Sequence, residues 1–412
     1  MSDLSLPARP APWSPAVLAQ APHRLLFLAG ACTVLTSMAW WALELGALRF
    51  GWTAWPQPPV PPAWGHALLT AYGMLPLFMF GFLLTVFPRW LDRPALPRLR
   101  YVPVAGSVFG GYALAHAGLL GSLPLLRFGV ALMLVGYGLA LLPLAGVLHA
   151  ATARNAHAWS CLAGLGVGAL GLAAGLAVLC GAPAAWMPLA IRLGVFGFLL
   201  PVYFSVCHRM IPFFSANVVP GYRMVRPRWS LPAAWALLLA HIALEAAGAS
   251  AWRWLADLPL ALLFGWHALA WQPWKARRPG LLFALHLAFA WLPVAMALFA
   301  AQSLWLALRG EAVLGLVPLH VLTIGYFGSM LVAMVTRVTQ GHAGRLLQMG
   351  AVPWLCFISL QCVLALRVRA ELGADGYRWL VFAAVGWLLA FAPWVLRSAW
   401  IYLTPRADGR PG

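Results

Sequence analysis

Eleven histidines punctuate a mostly apolar chain, at positions 23, 66, 116, 149, 157, 208, 241, 267, 286, 320 and 342. A neutral imidazole is the least costly titratable group to bury and the commonest metal ligand. Carboxylates are nearly missing from the centres of the apolar stretches, which argues against a proton relay built on Asp or Glu. Histidine is therefore the side chain left to carry chemistry. His320 lies well inside an apolar run, and spacings of three and four place Thr323, Phe327, Met330, Met334 and Arg337 on its face. A methionine stripe of this kind is usually core packing; the histidine reads as a ligand. His66 opens another run above Thr70, Gly73, Leu77, Gly81 and Leu84, a narrow stripe of small residues beneath an imidazole.

Two further clusters hold a histidine beside arginine. Cys207-His208-Arg209-Met210-Ile211-Pro212 ends an apolar run. It suits a metal or an anion, and equally a basic anchor before a proline break. Gly341-His342-Ala343-Gly344-Arg345 follows Arg337, and its glycines permit tight turns. It is expected to be structured, and His342 and His208 are candidates for a second metal site. His116, His241, His267 and His286 are solitary on apolar segments and read as bonded to neighbouring helices. His149, His157 and His23 read as solvated.

The elements that must position these residues are about a dozen apolar stretches of helical length. A helix of about 20 apolar residues spans the hydrocarbon core of a bilayer. The composition agrees: 63% of residues are hydrophobic, 9% are charged and 23 are Trp. The spans read as 25–48, 66–87, 101–121, 124–148, 159–181, 186–208, 231–248, 252–270, 281–302, 312–337, 351–370 and 379–403. The expected fold is an all-α integral membrane protein of about twelve transmembrane helices. Residues 1–24 form a Pro-rich tail without the apolar core of a cleavable signal, 25–403 one membrane domain, and 404–412 a short tail.

Sorting Lys and Arg by side puts nineteen of the 27 on the face that carries both termini. Arg49, Arg127, Arg192, Arg253, Arg309, Arg367, Arg369 and Arg378 fall on the other face. Basic residues are retained on the cytoplasmic side, so both termini are expected there. The net charge of +18 is then a topology signature and implies no nucleic-acid partner. Six cysteines include no CxxC pair, which disfavours zinc or a disulfide framework. The outer link 49–65 is rich in Trp and Pro and should lie along the membrane surface.

A faint repeat links spans 2, 6 and 10. Phe80-Gly81-Phe82-Leu83-Leu84 is matched by Phe196-Gly197-Phe198-Leu199-Leu200 and, loosely, by Phe327-Gly328-Ser329-Met330-Leu331. Each precedes an arginine: Arg89, Arg209 or Arg337. Helices four apart suit three four-helix arcs about a pseudo-threefold axis. Each glycine would admit a neighbouring backbone or a flat cofactor.

Three segments together resemble the NnrS family of bacterial inner-membrane proteins. They are Gly81 to Thr85 leading to Pro88-Arg89-Trp90; Arg209 to Phe214; and His320 to Gly325 leading to Met334-Val335-Thr336-Arg337 and Gly341 to Arg345. The resemblance implies a haem- and copper-containing protein of denitrification and nitrosative stress. Its partners would be the lipid bilayer, haem, and nitric oxide or metal–nitrosyl species. Family members often carry Trp-His-x-His-Glu where this chain has Gly65-His66-Ala67-Leu68-Leu69, so a metal site needing all three groups is in doubt. Under this reading His66 and His320 are the axial ligands of a haem, with His241 or His116 as substitute partners. Haem-copper oxidases offer a parallel, taking a bis-histidine haem from helices 2 and 10 of twelve, at the level of fold only. No catalytic constellation is evident. A transporter with helices broken at Pro143, Pro201 or Pro293, or a cofactor-free assembly protein, is the rival. A Soret band in purified protein separates them.

Overall fold

The computed structural model describes residues 15–409, so the first 14 residues of the expected tail lie outside the described residues. Among the described residues the secondary structure is helical, without strands. Twelve long helices account for the bundle. They are α1 (Pro22–Phe50), α2 (Pro62–Trp90), α3 (Arg98–Gly118), α4 (Leu123–His149), α5 (Ala156–Leu179) and α6 (Trp186–Ala216). Then come α7 (Ser230–Ala246), α8 (Trp254–Ala270), α9 (Gly280–Arg309), α10 (Val317–His342), α11 (Ala351–Leu372) and α12 (Gly376–Leu403). Nine are long and apolar enough to cross a membrane, which makes this a multi-pass membrane protein. The other three are α3, whose first turn carries Arg98 and Arg100, and α7 and α8, of 17 residues each. Seventeen residues rise only about 26 Å.

Helix ends follow local chemistry. Asn155 and Ser122 cap α5 and α4 by accepting from the backbone N–H three residues on. Gly51 and Gly310 end α1 and α9 in the left-handed region. Asp375 caps α12 and accepts from Arg49 at 2.9–3.1 Å. Arg49 thereby holds that carboxyl below its usual range and ties the end of α1 to the start of α12. Proline does not break the long helices where a transporter reading needs it: α4 and α9 run on through Pro143 and Pro293. The break expected at Pro212 is likewise missing, since α6 continues to Ala216.

Three helices form the interior. The apolar windows of α2, α6 and α10 are 89, 67 and 78% buried, against 39–56% for the other membrane-length helices. Each of the three also contains a π-helical segment: Thr70–Met74, Leu193–Leu199 and Val321–Gly328. Such insertions are rare and cluster at functional sites. Below them, Phe78, Met79, Phe82, Tyr203, Met330 and Met334 line an apolar void of about 60 Å³. Two of the repeat glycines seat surrounding helices: a Cβ at Gly81 would strike Phe27, and one at Gly197 would strike Val167. Gly328 packs on Leu360 and also lines the larger cavity between the three helices.

Candidate functional site

A wider i→i+5 turn leaves backbone carbonyls for side chains to satisfy. In α2 the Thr70 hydroxyl donates to the His66 carbonyl at 2.7 Å, and Tyr137 donates to the Tyr72 carbonyl at 2.9 Å. In α10 Thr323 donates to the Leu319 carbonyl at 3.0 Å. Both histidines thus sit just ahead of a π segment, held where the helix changes pitch.

The three π segments wall one cavity of about 640 Å³ at the arginine-poor end of the bundle. His66 and His320 line it together with Thr70, Met74, Phe196 and Thr323. Trp41 of α1 stacks on His66, with ring centroids 4.5 Å apart and planes at 15°. His320 Nδ1 lies 3.0 Å from the Leu316 carbonyl, which makes it the protonated nitrogen and leaves Nε2 as an acceptor. Arg367 of α11 is near enough to act electrostatically on both imidazoles, and His66 acts on His320. Arg367 donates to Glu371 at 2.6 Å through Nη2, while its buried Nη1 has no partner. His66 Nδ1 is likewise buried and unpartnered.

The opposite wall carries a polar network that sequence reasoning did not assemble. His241 Nδ1 meets Asp257 Oδ1 at 2.6 Å, and both side chains are almost fully buried. Arg253 donates to Asp257 at 2.9 Å, pairs with Glu245, and reaches Gln302 at 2.9 Å. Arg192 closes the network on Glu245 at 2.9 Å. His241, Glu245, Arg253, Gln302 and Arg192 all line the cavity. The spacing within α7 and the next turn held the signal, since Glu245, Arg253 and Asp257 concentrate charge beside a very short link. His116 is not on this wall: it packs edge-on to Trp40 and stacks with Tyr112.

The second pair of candidates lies at the other end of the bundle and is not brought together. His208 bonds to His157 at 2.9 Å, and its ring lies 5.1 Å from His267. His208 Nε2 and His267 Nδ1 are both buried without partners. His157, read as solvated, is thus part of a packed cluster. His342 instead packs against His23, with ring centroids 4.3 Å apart and planes at 33°, so His23 is not a solvated tail residue either. Its segment is structured: Arg345 N–H donates to Gln340 at 2.9 Å and Ala407 N–H to Ala343 at 2.9 Å. Arg337 turns away from it and lies 3.8 Å over the Phe214 ring. Among the described residues no group of three or more His, Cys, Asp or Glu side chains could hold a metal ion.

Fold and cavity define a multi-pass helical membrane protein whose inner helices converge on a histidine-lined chamber. The family model described as NnrS protein matches residues 17–406. The chain belongs to the NnrS family. None of the curated proteins compared matches it.

Proposed function

We propose that this NnrS-family protein is a haem-binding protein of the bacterial inner membrane that serves the response to nitric oxide. All twelve helices would span the bilayer, with both termini cytoplasmic, and the three π segments would mark a threefold repeat of four-helix arcs. The observation that carries the haem reading is one cavity lined by His66 and His320, with Arg367 acting on both. The residues fit the group. The walls are largely apolar, two imidazoles come from different helices, and Arg367 Nη1 lacks a partner, as a propionate carboxylate would require. His66 and His320 would hold the iron, Trp41 would fix the His66 ring, and Arg367 would neutralise a propionate. When bound, the group would supply an iron centre for electron transfer or for binding a diatomic molecule.

His241 favours a second arrangement of the same site. Its Nδ1 is held by a buried carboxylate, the arrangement that orients metal-bound histidines. It would replace one of the two axial ligands. For copper, the nearest donors are His208 Nε2 and His267 Nδ1, both buried without partners on rings 5.1 Å apart, with His157 bonded to the other nitrogen of His208. No group of three or more candidate ligands occurs among the described residues, so these two imidazoles would hold copper by themselves. The test is the absorption spectrum and haem content of the purified full-length protein, alone and as His241→Ala. A Soret band retained in His241→Ala supports the His66–His320 pair, and its loss supports the His241 arrangement. A colourless wild type refutes both.

A further inference from the structure

At the arginine-rich end of the bundle, α1, α2, α10 and the segment after α12 meet around a buried cation. Arg24 is 2% exposed. Its Nη1 donates to the carbonyls of Tyr402 and Thr404 at 3.1 and 2.8 Å, which caps the end of α12. That contact occupies one guanidinium nitrogen. Nε and Nη2 are buried and have no partner among the described residues. A buried charged donor left unsatisfied is costly and marks a missing acceptor.

The neighbours of Arg24 are also basic. His23, 4% exposed, packs against the His342 ring, and its Nδ1 lies 3.4 Å from the Thr85 hydroxyl. Arg89 and Arg406 act electrostatically on both histidines, and Arg24 does so as well. Arg406 engages the carboxylate of Asp408 through two nitrogens at 2.9 and 2.6 Å. Arg24 and Arg89 bring two positive charges to a place that also holds two imidazoles. Arg89 is exposed, so the cluster opens to solvent or to the headgroup layer.

We propose that Arg24, Arg89, His23 and His342 form a binding site for a phosphate group. A phosphate matches the set by charge and geometry, because it accepts from guanidinium forks and from imidazole N–H groups at once. Basic pockets between helices on the cytoplasmic side take lipid headgroups in this way. The phosphate is either that of an anionic phospholipid or that of a soluble ligand. This site stands apart from the histidine-lined cavity and does not depend on haem.

The experiment uses full-length protein purified in detergent, first as isolated and then stripped of lipid. Native mass spectrometry reads retained phospholipid, and thermal unfolding reads stabilisation by added inorganic phosphate or by phosphatidylglycerol. Retained phospholipid, with restabilisation by phosphatidylglycerol alone, assigns the site to a headgroup. Stabilisation by inorganic phosphate assigns it to a soluble ligand. In either case Arg89→Gln should weaken binding by about tenfold or more, the factor for one charge-assisted hydrogen bond. Arg24→Gln should do the same. Since Arg24 also caps α12, loss of binding in its variant does not separate binding from folding, and His342→Gln, which makes no such cap, supplies the independent arm. Absence of retained phospholipid and of any phosphate response in the wild type overturns the proposal, as does an unchanged response in both Arg89→Gln and His342→Gln.

Discussion

At the scale of single residues, the chamber wall is held by charges that the hydrocarbon core would otherwise reject. Asp257 accepts from Arg253 and pairs with His241. Replacing it with Ala strands the buried His241 imidazole and leaves the Arg253 guanidinium held by Glu245 and Gln302 without its most buried partner. Removing one partner of a buried pair costs about 3–5 kcal/mol, so Asp257→Ala should unfold at markedly lower temperature in detergent. Asp257→Asn keeps an acceptor and should lose less. An Asp257→Ala protein as stable as wild type would show that the network carries no structural weight. His66 and His320 were legible in the sequence because each is an isolated imidazole on an apolar run, the first opening it and the second well inside it. His241 was not, because its partner lies 16 residues away on the next helix, where a carboxylate reads as an outer-loop charge. Arg367 was hidden for the same reason, counted by side and not by neighbour.

At the scale of elements, the twelve apolar runs mark the helices, and most ends agree to within a few residues because hydropathy and capping both act locally. The exceptions are α6 and α9, which run on to Ala216 and Arg309, past the expected ends at 208 and 302. In addition, α10 is displaced to Val317–His342 from the expected 312–337. The faces of α2 and α10 were only partly legible. A constant 3.6-residue period puts His66, Gly73 and Gly81 on one stripe, but Gly73 packs on Tyr112 and Gly81 on Phe27 while His66 faces the chamber. The π segment Thr70–Met74 shifts the register between them. Periodicity cannot show an inserted residue. An alanine inserted after Leu77, where α2 is α-helical, would turn His66 by about 100° relative to the inner half of α2. The variant should insert and accumulate normally, yet purify with little haem. A haem-to-protein ratio equal to wild type would mean that the register of α2 does not position the ligand.

At the scale of the whole molecule, two sets of polar residues occupy opposite ends of one apolar bundle. The arginine-poor end holds the chamber, and the arginine-rich end holds the His208 and His342 clusters. Reporter fusions after Arg98 and after Gly310 should report opposite sides, with Arg98 cytoplasmic. The same side for both would overturn the span assignment. The glycine-marked repeat in α2, α6 and α10 was visible in sequence, whereas its structural content, three buried helices each carrying a π segment, was not.

The central claim is that His66 and His320 together hold a haem. It is tested most directly by absorption spectra of His66→Ala and His320→Ala, expressed at wild-type levels and purified in the same detergent. The account predicts a Soret band in the wild type that is lost, or changed to a five-coordinate spin state, in each variant. An unchanged Soret intensity and spin state in both variants would contradict it.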